Sequence, residues 1–404
     1  MVTDFAVITA TGKDKPGLIA EITNAIADAN VNILDIEAFS MRGLFAIFMI
    51  ADCRAARISV ETLKTQLVDI GSEIGLDVTL EPYVAGRQKG EKKPVLLTTI
   101  GKDSPGIVAK VSKFLSEKKA NIERIRMIAS GELNAMEILT DISDLSSSFE
   151  DFRSGLEDAC SEVGQDVVVQ EEGVFQRPKR LIVFDVDSTL IDVEVIDELA
   201  KAAGVSGKVK EITKKAMNGE IDFKQALRER AMLLKGLKTE VLKTIADNLE
   251  ITPNAEELIS TLKMLGFKTA LVSGGFKYFV NRIKEKLGID YAYANKLVIK
   301  DGKLTGEVEE PIIDSKRKGE LIRELAKKEN LLLEEIVAVG DGANDRFMLQ
   351  SSGLGIALNP KDILKKVADG VLTKENLTGI LYCLGAPEKK LREVLPKNSE
   401  KKTT

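Results

Sequence analysis

The chain has 404 residues, 44% hydrophobic and 30% charged, with a net charge of −5, the profile of a globular protein of about two to four domains. It contains no histidine, which excludes Ser-His-Asp and Cys-His nucleophile systems and histidine zinc sites and leaves acid/base work to Asp, Glu, Lys or Tyr. Its charges are mixed, with no broad basic stripe, and no apolar run approaches the roughly 18 residues of a membrane span, so neither nucleic acid nor membrane is an expected partner.

The N-terminus, MVTDFAVITATGKD, has no basic n-region and no cleavage site, so a cytoplasmic protein is expected. Cys53, Cys160 and Cys383 have no metal or disulfide spacing and are expected to be buried, reduced thiols.

In chain order, an internal repeat comes first. GKDxPG occurs at Gly12–Gly17 and Gly101–Gly106, and Asn-Ile follows at Asn32-Ile33 and Asn121-Ile122, all at a constant offset of 89 residues. Each copy opens with a strand, FAVITA or VLLTTI. Proline then suits the first turn of a helix, and Asp14 or Asp103 is placed to cap its free amides. Two strands, a helix from Val60 to about Ile70 and a last strand from Asp77 to Pro82 complete the order βαββαβ, a ferredoxin-like unit. The second copy runs from Val95 to about Gln170. AGRQKGEKK at 85–93 reads as a linker. QEEGVFQRPKR at 170–180 reads as a second break, and the charged tail 387–404 as frayed. The expected domains are therefore 1–84, 94–170 and 180–386.

From Leu181 strands alternate with helices, predicting a parallel sheet covered on both faces. Three predicted strands end in polar clusters: Asp185-Val186-Asp187, Ser273-Gly274-Gly275 and the run Gly340 to Asp345. Ligands in such sheets sit beyond the carboxyl ends of strands. Asp185 and Asp341 brought together repel, and a divalent cation with a taste for hard oxygen ligands, Mg²⁺, relieves that. Magnesium suggests a phosphate substrate. Ser273 offers a hydroxyl, Gly274 close approach of backbone amides, and Lys318 a point charge for the same anion. Asp185 is then the nucleophile that forms an aspartyl phosphate, and Asp187 the acid/base.

DVDST, SGG, Lys318 and GDGAND resemble the four motifs of the haloacid-dehalogenase superfamily. The stretch 181–385 is similar to the branch that hydrolyses O-phospho-L-serine to L-serine. That resemblance implies a Rossmann-like core with a helical cap at about 193–250, and metal ligation by Asp185, Asp187 and Asp341. It implies that Glu194 holds the substrate ammonium, Arg230 its carboxylate, and that Met217 and Phe223 shut the pocket. It further implies that Asn344 and Asp345 orient the phosphate and the metal shell. On their own chemistry Glu194 is equally a first-turn helix acid, Arg228 competes with Arg230, and Asp345 is an alternative helix cap. The repeat at 1–170 resembles paired ACT domains. That likeness implies an effector such as L-serine contacted by Gly17, Asn32, Gly106 and Asn121, or a homodimerisation module. Two other readings stand beside the enzyme: an amino-acid-binding regulator with an inactive phosphatase-like domain, and a phosphatase for another small phosphorylated amino acid.

Overall fold

The computed structural model describes residues 4–83, 92–130, 133–360 and 362–384. Most of the expected linker at 85–93 and all of the expected tail at 387–404 lie outside the described residues. The chain forms two compact units, 1–90 and 91–404.

The first unit follows the βαββαβ order read from the repeat. Its strands β1 (Phe5–Lys13), β2 (Asn32–Met41), β3 (Leu44–Asp52) and β4 (Leu76–Pro82) form an antiparallel sheet in the order β2-β3-β1-β4. The helices Leu18–Asp28 and Val60–Ile74 lie on one face. Strand alternation puts Ile8, Ile47 and Met49 on that face with Leu18, Ile22, Leu63 and Leu67, all buried. Neither helix after GKDxPG is capped by its aspartate. The proline-glycine step moves the N-cap to Gly17 and Gly106, in the left-handed region at φ 98° and 100°, with no side-chain cap. Asp14 instead accepts from Ser40 Oγ at 2.5 Å, and Asp103 from Asn134 Nδ2 at 3.1 Å.

The second unit departs from the sequence reading. Strands β5 (Pro94–Gly101), β6 (Asn121–Ala129), β7 (Asn134–Asp141) and β8 (Gln165–Glu171) repeat the ferredoxin-like pattern. The sheet does not stop there. It continues into β9 (Leu181–Phe184), β10 (Lys268–Phe276), β11 (Tyr291–Asn295), then β14, β15 and β16 (Ile336–Gly340, Leu354–Leu358, Gly370–Leu372). Strands β12 (Leu297–Lys300) and β13 (Lys303–Val308) form a separate hairpin. The ten-stranded order is β11-β10-β9-β14-β15-β16-β8-β5-β7-β6. The splice is an antiparallel pairing of β16 with β8, Gly370 opposite Val168 and Val371 opposite Val167. The stretch 170–180, read as a break, is partly a short helix, Glu172–Phe175.

The six strands on the β11 side of this splice are parallel to one another. Their central strand, LIVF, is buried at every position, as expected of a strand covered on both faces. Ile182 and Phe184 enter one core and Leu181 and Val183 the other. The region read as a helical cap is four helices, Val195–Ala202, Ser206–Met217, Phe223–Leu233 and Thr239–Asp247. The hairpin β12–β13 joins this cap through Gly236 N–H to the Leu304 carbonyl at 2.8 Å and Leu304 N–H to Leu237 at 2.9 Å.

Candidate active site

The parallel strands deliver their polar ends to one place. Asp185 follows β9, and its N–H donates to Val339 of neighbouring β14 at 2.8 Å. The β14 strand leads into Asp341, and β10 carries Ser273 and Gly274. Lys318 sits fully buried on the helix Ser315–Glu329, which is capped by Asp314, accepting from Arg317 N–H at 2.8 Å.

Lys318 Nζ lies 2.8 Å from Asp185 Oδ1 and 2.7 Å from Asp345 Oδ1. Asp345 uses its other oxygen to accept from the Asp341 and Gly342 amides, both at 3.1 Å. It makes no cap bond to the helix Arg346–Gln350 that follows, so the helix-cap reading of Asp345 is not realised. Gly340 is required here, because a Cβ on it would lie 2.5 Å from the Asp345 carboxyl.

One carboxylate oxygen from each of Asp185, Asp341 and Asp345 lies within 4.8 Å of the others. Such a trio of hard oxygens fits a small divalent cation. The electrostatics fit as well. Burial, then the charge of Asp345, pushes the Asp185 carboxyl well above the ordinary range, against the pull of Lys318. Burial, then Asp345 and Glu194, raises Asp341 to about 6. Burial alone would lower the Lys318 ammonium, but Asp185 and Asp345 on either side outweigh it and raise it. One lysine does not balance this many buried acids, and a bound cation would.

Asp187 stands apart from that trio, in contrast to the sequence expectation that groups it with the metal ligands. Its side chain is engaged elsewhere: Oδ1 accepts from Val195 N–H, at the start of the cap, at 3.0 Å, and Oδ2 accepts from Ser273 Oγ at 3.3 Å. Burial, then the nearby Glu194 charge, raises its pKa to about 6. A Cβ on Gly275 would lie 2.4 Å from its Oδ2, so glycine at 275 is what lets the two strand ends approach.

Above these groups, between the sheet and the cap, lies a cavity of about 620 Å³ that is open at its rim. Asp185, Asp187, Glu194, Met217, Phe223, Arg230, Gly274, Asp341 and Asn344 all line it. Ser273, Lys318 and Asp345 are buried just behind its wall. The cap helix Phe223–Leu233 sets the choice between two arginines. Arg228 points out to Glu310 at 2.5 Å, while Arg230 turns into the cavity, donating to the Ala226 carbonyl at 3.2 Å. Burial lowers the Arg230 pKa, opposed by Glu194, Asp197 and Asp187. Phe223 closes over Gly274, whose added Cβ would stand 3.0 Å from the ring. Met217 sits at the rim, 69% exposed.

Sequence reasoning assigned nothing to Ser188, Thr189 or Asn295. Ser188, at φ 59°, donates to Glu194 Oε1 at 3.1 Å, and Thr189 Oγ1 donates to Asp341 Oδ1 at 3.2 Å. Both lie inside the quoted DVDST, where two hydroxyls beside two acids were the available signal.

The four residues expected at an effector site are not brought together within a unit. Asn32 pairs with Asp52 at one end of the first sheet, whereas Gly17 follows the other end, where Lys13 pairs with Leu44. Asn121 and Gly106 are separated in the same way, Asn121 opposite Asp141 and Gly101 opposite Asn134. All three cysteines are free and buried. Among the described residues no helix is long and apolar enough to cross a membrane.

A family model for haloacid dehalogenase-like hydrolases matches residues 179–353, and an ACT domain model matches residues 4–81 and 93–170. The phosphoserine phosphatase of Archaeoglobus fulgidus is 44% identical over 85% of this chain and 98% of its own length. The phosphoserine phosphatase of Mycobacterium tuberculosis is 34% identical over 94% of this chain and 92% of its own. Among solved structures, a probable phosphoserine phosphatase from Vibrio cholerae in unliganded form covers 74% of this chain and 88% of its own, with 31% identity and a TM-score of 0.58. The chain thus belongs to the phosphoserine phosphatases, haloacid dehalogenase-like hydrolases, here carrying two ACT domains ahead of the catalytic core.

Proposed function

We propose that this phosphatase hydrolyses O-phospho-L-serine to L-serine and phosphate with Mg²⁺, through an aspartyl phosphate on Asp185, as the last step of L-serine synthesis. The observation that carries the reading is one cavity with two chemistries. Asp185 stands at its floor with Lys318 buried directly behind it, and Glu194 and Arg230, an anion and a fork-shaped cation suited to an amino-acid head group, stand on its cap side.

Mg²⁺ bound by Asp185 and Asp341, with Asp345 beside them, would offset the charge on the phosphoryl oxygens and on the acids. Glu194 takes the substrate ammonium and Arg230 its carboxylate. Ser273, the Gly274 turn, Asn344 and Lys318 hold the phosphoryl group in line with Asp185. A carboxylate oxygen of Asp185 attacks phosphorus and the bond from phosphorus to the seryl oxygen breaks. Asp187 gives its proton to that leaving oxygen, and its pKa of about 6 suits a group that must do so near neutrality. The Asp187 carboxylate then takes a proton from the water that attacks phosphorus, which frees phosphate and restores Asp185. Met217 and Phe223, at the cap's edge, exclude bulk water during both steps.

In the same reading the ACT domains bind L-serine as a feedback effector and join two cytoplasmic chains as a homodimer. Gly17 and Asn32 lie at opposite ends of a unit. In this reading the glycine turn of one unit therefore meets the asparagine of a second unit lying alongside it in the opposite direction.

Phosphate release from O-phospho-L-serine, phosphothreonine and an aryl phosphate, each with and without EDTA, tests the reading. Release that prefers phosphoserine, needs Mg²⁺, and falls by at least about 10⁴-fold in Asp185→Asn is expected. Equal activity on the aryl phosphate would overturn the roles of Glu194 and Arg230, and no release from any substrate would overturn the reaction. Serine titrated into the full chain by calorimetry tests the effector; no heat and no inhibition would remove it.

A further inference from the structure

We infer that Asn295 is a positioning residue for the reaction, tying the phosphate-side turn Ser273–Gly274 to the segment that carries Lys318. The inference rests on the reading above that these groups hold the phosphoryl moiety.

The sheet carries a fault beside the site. Strands β10 and β11 pair regularly from Ala270 opposite Tyr291 to Val272 opposite Tyr293, then resume only at Phe276 opposite Asn295. Four steps along β10 therefore face two along β11, and the extra residues fall in Ser273, Gly274 and Gly275. A bulge of this kind re-aims a strand end and leaves backbone groups without ladder partners. Here it turns Gly274 and Gly275 toward the cavity. The Gly274 carbonyl, stripped of its ladder bond, still needs a donor in a buried setting.

Asn295 supplies that donor from the end of β11. It is 1% exposed. Its Nδ2 donates to the Gly274 carbonyl at 2.8 Å and, at 3.4 Å, to the Ile313 carbonyl. Its Oδ1 accepts from Ile313 N–H at 2.7 Å. Ile313 immediately precedes Asp314, the cap of the helix that holds Lys318, and Lys318 N–H closes on the Asp314 carbonyl at 2.9 Å. One buried amide thus spans the two backbone segments whose separation sets how far Ser273 stands from Lys318. An amide is the group that does this, because it donates in one direction and accepts in the other. Aspartate, of the same shape, keeps the bond from Ile313 N–H and loses the one to Gly274.

The experiment compares Asn295→Ala and Asn295→Asp with the parent. Ser273→Ala serves as a positive control, and Leu156→Ala, in the helix-side core of the second ferredoxin-like repeat, as a control for stability alone. Each is measured for melting temperature, kcat and KM on phosphoserine, and inhibition by inorganic phosphate. Displacement of the turn predicts that both Asn295 variants, once folded, lose about 10²-fold in kcat. Their inhibition constant for phosphate should rise about tenfold, the effect of one lost buried hydrogen bond, while Leu156→Ala lowers the melting temperature and keeps both constants. Folded Asn295 variants with parental kcat and phosphate inhibition would overturn the inference. So would failure of both to fold, since the inference assigns the amide to two local segments and not to the fold. If Ser273→Ala itself leaves phosphate inhibition unchanged, it is the underlying reading of the phosphate side that fails.

Discussion

The two ACT units share one pattern and live different lives. In the first, one sheet face packs on its helices, and the other presents Phe39, Met41, Leu44 and Phe48, each about half exposed or more. In the second, the helix-side face forms its own core around Leu97, Met136, Ile138 and Phe152. Its other face is buried too: Ile100, Ala135 and Val168 join the catalytic core with Leu377, Ile380 and Leu381. At matching positions of the repeat, the first unit exposes Phe48 while the second buries Glu137, paired with Arg126 at 2.6 Å. A ferredoxin-like sheet has two faces and two edges, and what covers the second face and the second edge decides whether the unit is a module or part of a larger domain.

The junction in the second unit is polar as well as apolar. Asp166 Oδ2 accepts from Thr373 N–H at 2.7 Å, Thr373 Oγ1 at 3.0 Å and Asn376 Nδ2 at 2.7 Å. Gln170 Nε2 donates to the Cys383 carbonyl at 3.1 Å. A Cβ on Gly379 would lie 2.8 Å from Ile100, so this contact is fitted to glycine.

The sharpest way to break the comparison is truncation. A chain lacking residues 1–90 should keep its melting temperature within a few degrees, whereas one lacking residues 1–171 exposes the β16 edge and the Leu377–Leu381 surface. That second chain should precipitate or melt lower by about 10 °C or more, since apolar burial of about 25 cal/mol per Å² is lost along the whole junction. Equal behaviour of the two truncations would end the distinction.

Calorimetry of the full chain should show separate transitions for the two units. Leu63→Ala in the first and Leu156→Ala in the second each remove a fully buried leucine at a cost of about 2–5 kcal/mol. The first should shift one transition and spare phosphatase activity at the assay temperature. The second should lower the temperature at which activity is lost. A smaller effect is expected of Asp166→Ala, about 1–3 kcal/mol on the second transition and nothing on the first.

The smallest effect is in pH, and its sign differs between the units. In the first unit, hydrogen bonds from Arg54 lower Asp52 to about 2. Its stabilising contribution is therefore present above the ordinary aspartate value and is lost as pH falls toward 2. In the second, burial raises Asp369 to about 6, although Gly355 N–H donates to it at 2.7 Å. Its contribution is present below about 4 and is lost as pH rises through 6. Asp369→Asn should therefore gain stability over the parent between pH 4 and 8, on the order of 1–2 kcal/mol at the alkaline end, and should do so in the second transition alone. A gain that is independent of pH would show that Asp369 is not strained by burial.

Much of this was legible in the residues. The constant offset of the repeat reported two copies of one supersecondary unit, because strand and helix periods survive when spacing does. Strand-end acids reported the acidic floor of the cavity, since a parallel sheet brings its carboxyl ends together whatever the sequence distance. Three things were not legible. Pairing of β16 with β8 is a backbone contact, and VLT and DVVVQ carry no mark of which edge they join. The role of Asn295 depends on a bulge, which needs the partner strand to be seen. The choice of Asp345 over the Asp187 side chain for the acidic trio follows from rotamers: Asp187 is drawn to Val195 N–H and Ser273, and Asp345 is drawn inward by Lys318.

The central claim is that Asp185 is the nucleophile, and the most direct test is to trap it. Enzyme turning over O-phospho-L-serine is quenched in acid and reduced with borohydride, which converts an acyl phosphate to the corresponding alcohol, and the chain is mapped by mass spectrometry. Homoserine at position 185, dependent on substrate and absent when substrate is omitted, is the predicted result. Turnover with no reduction at 185, or with reduction at Asp187 or Asp341 instead, would contradict it.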